Sequence, residues 1–290
     1  MTMSGHAGAV LLRADVEAAV LERLEAGKLE LPLLPEVATR VSQLTLVGDC
    51  DPKELADLIK RDQALAGHFL RVANSALFSR GIPITTLQMA ISRLGVSRIR
   101  EITLAISCQS RVFSVRGHEA DVRALFRHSL AVAVFASEIA RLLRRNVEDA
   151  FMTGLLHDVG RPIVMQAIAD HLATAAGVLE RADFDAAVSA LHERVGSDVA
   201  VKWRLAERMA AVIRHHHSAV PPQDLAVDVA LVRLADDLAH WAIERPDEDQ
   251  EAAKFHKHPS LQCLNLYPDD LESVLKLRSK VAATLESFAA

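Results

Sequence analysis

Aromatic side chains are scarce here: nine Phe, two Trp and one Tyr amount to 4% of 290 residues, while half of all residues are hydrophobic and Ala, Leu and Val dominate. That palette is the one helices are built from. Cysteine is rarer still. Cys50, Cys108 and Cys263 are scattered with no C-x-x-C spacing, which fits a reducing compartment better than a disulfide framework. Long apolar runs are missing too. The patch from Ala7 to Leu12 is cut off by Arg13, and nothing approaches the ~20 residues of a membrane span, so neither a signal peptide nor an anchor is expected and a cytoplasmic chain is. There is no excess of positive charge. A formal net charge of -5 argues against broad nucleic-acid binding, which favours a basic face to neutralise phosphates. No internal repeat or low-complexity segment is present.

Helical punctuation fills the first half. Asp15 to Glu25 has apolar and charged positions at helical spacing and stops at Gly27, a natural C-terminal cap. Leu31-Pro32-Leu33-Leu34-Pro35 is a turn admitting a helix from Glu36 to Leu46. Asp51-Pro52-Lys53-Glu54 reads as a capping box opening a helix through Ile59, with Pro52 at the first helical position. Asp62 to Ala76 continues the pattern, with Leu65, Phe69, Leu70 and Val72 on one face. Thr85-Thr86-Leu87-Gln88 is a second capping box, and its helix runs to Gly95. Ala90 to Leu104 has the outline of a helix-turn-helix that would present Ser97, Arg98 and Arg100 to a groove. The plainer reading is two packed helices meeting at a glycine, because the second helix is mostly apolar and has few basic flanks.

Near the middle lies Gly154-Leu155-Leu156-His157-Asp158-Val159-Gly160, where an imidazole and a carboxylate end an apolar helical run. Adjacent helical residues point about 100° apart, so the pair can grip one ion only if the backbone turns, and Gly160 followed by Pro162 offers a place for that. Imidazole nitrogen and carboxylate oxygen suit Mn, Fe, Zn or Mg, and no nearby cysteine biases the site toward softer metals.

Taken in order, Leu31 to Pro35, Leu55-Ala56-Asp57-Leu58-Ile59 with Asp62, Leu70-Arg71-Val72-Ala73-Asn74-Ser75, and Ala90 to Gly95 resemble the successive signatures of the HDOD family, the HD-related output domain of bacterial signalling. With the His157-Asp158 segment the resemblance spans roughly residues 20 to 240. It implies a ligand set. His128 stands where HD-superfamily proteins offer their first histidine, His157 and Asp158 match the namesake pair, and Asp236 matches the closing aspartate. Leu191-His192-Glu193 with Trp203 resembles the family's histidine-glycine-tryptophan run, and His215-His216-His217 its double histidine, most naturally as His216 and His217.

The resemblance therefore implies His128, His157, Asp158 and Asp236 for one ion, with His192, His216 and His217 as candidates for a second. Two such ions could bind a phosphate oxygen and activate a water upon it. Each histidine also has a plain structural reading as a core or surface residue. Against catalysis, the sister HD-GYP phosphodiesterases follow their double histidine with an acidic residue and a Gly-Tyr-Pro loop, where this chain has Ser218-Ala219-Val220-Pro221-Pro222. They also carry a lysine where Arg161 stands, a candidate phosphate contact of different geometry, and Ala206 replaces the family's usual proline. The family's members are regarded as regulatory output or scaffolding modules. With no recognisable receiver, kinase or cyclase segment attached, input is expected from a signalling protein partner or a nucleotide-like ligand.

Beyond Asp236 the organisation loosens. Glu244 to Glu251 reads as an acidic, solvated linker, and Phe255-His256-Lys257-His258-Pro259 as a polar loop. A last helix from Asp269 carries Val274, Leu277, Val281, Leu285 and Phe288 at helical spacing, either docking on the domain or pairing in a homodimer. The expectation is an all-α protein, an N-terminal helical bundle packed on an HD-like helical core. Its divisions fall at residues 1–125, 126–243 and 244–290, the last holding the acidic linker and C-terminal helix. The expected role is a signal-transduction output module, with a metal-dependent phosphohydrolase as the alternative.

Overall fold

Helix boundaries fall largely where local chemistry places them. A computed structural model describes residues 9–34, 36–46, 51–75, 82–112, 114–244 and 248–289. The first five helices are α1 (Arg13–Glu25), α2 (Glu36–Leu46), α3 (Pro52–Lys60), α4 (Gln63–Ala73) and α5 (Leu87–Arg111). They are followed by α6 (Glu119–Leu142), α7 (Val147–Leu156), α8 (Gly160–Ala175), α9 (Arg181–Lys202), α10 (Glu207–His215) and α11 (Ala226–Glu244). The chain closes with α12 (Glu248–Phe255), α13 (Ser260–Leu264), α14 (Pro268–Leu275) and α15 (Arg278–Ala289). Among the described residues the only strands are β1 (Ala9–Val10) and β2 (Gly177–Val178), which pair in parallel. The fold is all-α.

Asp51 caps α3 by accepting from the Lys53 amide, and Asp62 caps α4 by accepting from the Leu65 amide. The cap of α5 is Thr86, which accepts from the Met89 N–H, one residue later than a box beginning at Thr85 requires. Gly95, at φ +79°, breaks α5 into two helical runs. Arg98 of the second run pairs with the buried Glu101 at 2.5 Å, and Arg100 with Glu148 of α7, so the outline of a recognition helix is instead a face packed into the protein. Pro35 of the opening turn, Cys50, Ala76 and residues 245–247 of the acidic stretch lie outside the described residues.

The centre of the molecule is α6, buried from Ser129 to Ser137 with α7 and α11 packed against it. A helix apolar on most of its circumference needs neighbours on several sides, and α6 has them. Gly154 permits the closest approach: a Cβ there would stand 2.9 Å from the Ala133 Cα, so α6 and α7 meet backbone to backbone. Around α5 pack α2, α3 and α4. The first helix, α1, lies on α8 and α9 and buries Val16 and Val20 there. The segment after it is held by the same helix, since Trp203 Nε1 donates to the Pro32 carbonyl at 2.9 Å and Lys202 Nζ to that of Leu31 at 2.8 Å.

Two sequence expectations for the C-terminal part need correction. The acidic linker is largely helical: α11 reaches Glu244 and α12 begins at Glu248. The last helix is two, with a turn at Lys276 and Leu277 between α14 and α15. Its apolar positions Val281, Leu285 and Phe288 are buried as α15 packs on α4, α6 and α11.

Candidate metal centre

Seven side chains expected to bear ligands converge on one buried centre from five helices and their ends. His128 comes from α6, His192 from α9 and Asp236 from α11; His157 and Asp158 follow α7, and His216 and His217 follow α10. The backbone turns at His157 to Val159, between α7 and α8, as the sequence suggests, and Gly160 serves it by close contact and without a positive φ. A Cβ on Gly160 would lie 2.1 Å from the His192 carbonyl oxygen and 2.6 Å from the Gly196 nitrogen, so the glycine lets α8 touch α9. Positive φ among the described glycines occurs at Gly27, Gly95 and Gly117.

Three of the imidazoles are oriented identically. Nδ1 of His157, His192 and His216 each lies 2.7 Å from the carbonyl oxygen three residues back, that of Gly154, Ser189 and Ile213. A carbonyl only accepts, so Nδ1–H donates, and in the neutral ring Nε2 is left bare and aimed inward. The consequence is a concentration of acceptors. His192 Nε2 and His216 Nε2 face each other at 3.3 Å, and Asp158 Oδ1 lies 3.3 Å from the first and 3.6 Å from the second. Neither His157 Nε2 nor Asp158 Oδ1 makes a well-formed hydrogen bond, although both are buried. Lone pairs packed together at a largely buried site favour something positive among them.

The donors form two groups. His128, His157 and Asp236 make one, and Asp158, His192, His216 and His217 the other, with ligand atoms within 4.8 Å of one another in each. An ion at ~2.0–2.2 Å from its ligands keeps every pair of them within about 4.4 Å, so only small shifts would close either group round a cation. Asp158 faces the second group through Oδ1, and its Oδ2 lies 3.6 Å from His157 Nε2. It therefore stands between the groups, where the sequence reading placed it with His128 and Asp236. Among the three consecutive histidines, His216 and His217 join the cluster.

Electrostatics suit cation binding. Burial pushes His157 down to about 4 and His192 to about 3, which keeps both rings neutral as metal ligands must be. Burial raises the Asp158 carboxyl, but the neighbouring His157, His216, Arg161 and His192 outweigh it and hold the group well below its usual range. Asp236 is likewise raised by burial and brought far below normal by His128 and His157. Burial lowers His216, yet the nearby Asp158 carboxylate prevails and the net shift is upward.

Arg161, the candidate phosphate contact, lies with Nε 2.7 Å from Asp158 Oδ2. Arg233, from α11, donates Nε to the His216 carbonyl at 2.7 Å and Nη2 to that of Ser218, pinning the loop that carries the double histidine. Glu193 accepts the His217 amide at 2.9 Å. A cleft of about 590 Å³ bordered by His217, Asp236, His240 and His258 opens onto the centre. His240 was not anticipated: its Nε2 lies 3.6 Å from Asp236 Oδ1. Its signal was available, because a residue four beyond a ligand on a helix shares its face.

Fold and site together define an all-helical protein with a buried imidazole–carboxylate centre. The chain belongs to the HDOD domain family, whose model matches residues 31–219. It is similar to a solved "Putative metal-dependent phosphohydrolase" from Shewanella amazonensis SB2B, with TM-score 0.73 and 22% identity over 95% of this chain and 99% of that one. A solved "HDOD domain protein with unknown function" from Geobacter sulfurreducens has TM-score 0.69 and 24% identity, covering 95% and 98% of the two chains. An "Uncharacterized protein" from Treponema pallidum (strain Nichols) is 22% identical over 209 residues, 69% of this chain and 39% of that protein, so this chain spans well under half of that relative. Among the described residues no helix is long and apolar enough to cross a membrane.

Proposed function

We propose that this protein is a cytoplasmic signal-transduction output module that acts by binding a signalling partner protein, with divalent metal at the His/Asp centre holding its helices in the partner-binding arrangement. One observation carries the metal: His192 Nε2, His216 Nε2 and Asp158 Oδ1 face one another at 3.3–3.6 Å with their hydrogens directed elsewhere. Because the donors come from α6, α9 and α11 and from the ends of α7 and α10, an ion there couples five helices at once. That suits a conformational role. His128, His157, Asp158 and Asp236, with His192, His216 and His217, would hold one or two ions of Mn, Fe, Zn or Mg.

The non-catalytic reading is favoured by the cations. Arg161 is paired with Asp158, and Arg233, which lines the cleft, is bonded to two backbone carbonyls, so both guanidiniums are engaged where a phosphoryl-transfer site would aim them at substrate. A second reading, a metal-dependent phosphohydrolase of a nucleotide or cyclic dinucleotide, draws support from the cleft that reaches Asp236 and His217. A bound divalent ion would supply an activated water in that case. Arg161 would then have to leave Asp158 to reach a phosphate.

The deciding experiment pairs metal analysis of the purified chain with capture of partners by wild type and by His157→Ala. Metal in the wild type and partner binding lost in the variant is the expected result. Steady hydrolysis of a nucleotide or cyclic dinucleotide by the Mn- or Fe-loaded chain, followed as loss of substrate and appearance of its product, would replace this reading with the second.

A further inference from the structure

The group formed by His128, His157 and Asp236 has three donors, one fewer than its neighbour. Three protein ligands and an open position is the pattern of a catalytic centre, whereas four closes a tetrahedral shell and marks a structural one. The missing fourth donor stands beside it. Asp236 Oδ1 has His128 Nε2 at 2.8 Å, His240 Nε2 at 3.6 Å and His157 Nε2 at 4.0 Å. The His240 ring lies 4.2 Å from that of His128, centroid to centroid. It shares a face of α11 with Asp236, one turn on, and occupies the cleft side, where half of its side chain is exposed. A cation near Asp236 Oδ1 thus has three buried or half-buried donors behind it and one imidazole in front.

We propose that His240 is a ligand of this ion, completing a shell of three imidazoles and one carboxylate with His128, His157 and Asp236. The other group has the same composition, three histidines with Asp158, so both ions would sit in closed His3Asp shells. This inference rests on the metal reading above and sharpens it. A closed shell leaves no position for an attacking water, which makes the ions structural. Of this ion's ligands Asp236 and His240 border the cleft, and His240 is the more exposed, so it is the one of this shell that a molecule entering the cleft would displace.

The test uses Co(II), which absorbs strongly in the visible when four-coordinate and faintly when six-coordinate. The full chain, freed of metal, is titrated as wild type, His240→Ala and His240→Asp, and uptake and spectrum are followed together. Wild type is expected to bind two ions with intense bands. His240→Ala should weaken one ion at least tenfold and diminish its share of the band, and His240→Asp, which restores an oxygen donor, should recover part of the affinity. His240 is half exposed, so the alanine variant should fold, and unchanged circular dichroism verifies it. Two ions bound by His240→Ala with wild-type affinity and spectrum would overturn the assignment of His240 while leaving the metal centre standing. A wild type that takes up no cobalt would overturn both.

Discussion

Gly160 and His192 meet so closely that the hydrogen on the glycine Cα is all that fits between them: a Cβ there would stand 2.1 Å from the His192 carbonyl oxygen. The contact sets the spacing of α8 and α9, and with it the reach of His192 toward Asp158. Gly160→Ala should therefore force the helices apart, at a cost of at least ~1–3 kcal/mol for overpacking against backbone that cannot yield. Denaturant unfolding measures the loss. Metal uptake should fall in the same variant, because His192 Nε2 would move away from its 3.3 Å approach to Asp158 Oδ1.

Acid should destabilise the metal-free chain well above the carboxylate range. His157 and His192 are pushed by burial to about 4 and about 3, while an unfolded histidine titrates near 6.5. Between pH 6.5 and 4 the unfolded chain takes up protons that the native chain refuses, so stability falls as pH falls. The slope approaches ~1.4 kcal/mol per pH unit for each such histidine. His216 has the opposite sign: raised by Asp158, its contribution is complete below 6.5 and is lost as pH rises through its native value. The depressed Asp158 and Asp236 contribute above about pH 4 and lose their effect only in stronger acid. Urea unfolding in chelator at pH 7 and pH 5 should show the weaker fold at pH 5, with the difference reduced in His157→Gln.

Asp158 touches both donor groups, His192 and His216 through Oδ1 and His157 through Oδ2. Asp158→Asn should accordingly weaken both ions, where a change at His128 or His192 would weaken one. Metal at a hundred times its dissociation constant stabilises a native chain by ~2.7 kcal/mol, a rise in Tm of roughly 5–10 °C at this size. Thermal melting with and without added Mn or Zn should show that rise in wild type and a clearly smaller one in Asp158→Asn.

Local signals in the sequence read well and distances between remote segments did not. Gly27, Asp51 and Asp62 mark helix ends because a cap is decided by a few neighbouring atoms. The resemblance to a family supplied the order of His128, His157, Asp158 and Asp236, which no periodicity could have paired across a hundred residues. It could not supply the division of donors: whether Asp158 faces His192 or His128 depends on how closely α8 approaches α9, and that is set at Gly160 against Gly196. The turn before Gly160 was legible from its neighbours along the chain, but the contact of Gly160 with His192 and Gly196 across the helix pair was not. His240 was missed for another reason: no motif marks it, although its place four residues beyond Asp236 on one helix was legible. The acidic run after Glu244 was taken as a solvated linker on charge alone, yet its residues from Glu248 form a helix that buries Phe255.

Asn74 offers the sharpest test of the N-terminal half. Its Nδ2 donates to the carbonyls of Leu70 and Ile84 at 2.8 Å each, and its Oδ1 accepts the Ile84 amide at 2.7 Å. One side chain thus satisfies both backbone groups of Ile84, whose own side chain is buried, and ties the end of α4 to the approach to α5. Asn74→Ala leaves those groups without partners, at ~1–3 kcal/mol for each one that water cannot reach. Asn74→Asp is the more discriminating change. It keeps the acceptor but turns a carboxylate toward two carbonyl oxygens, so it should destabilise at least as much as alanine in urea at pH 7. Lowering the pH through the carboxylate's titration range returns one donor and should narrow the gap from wild type.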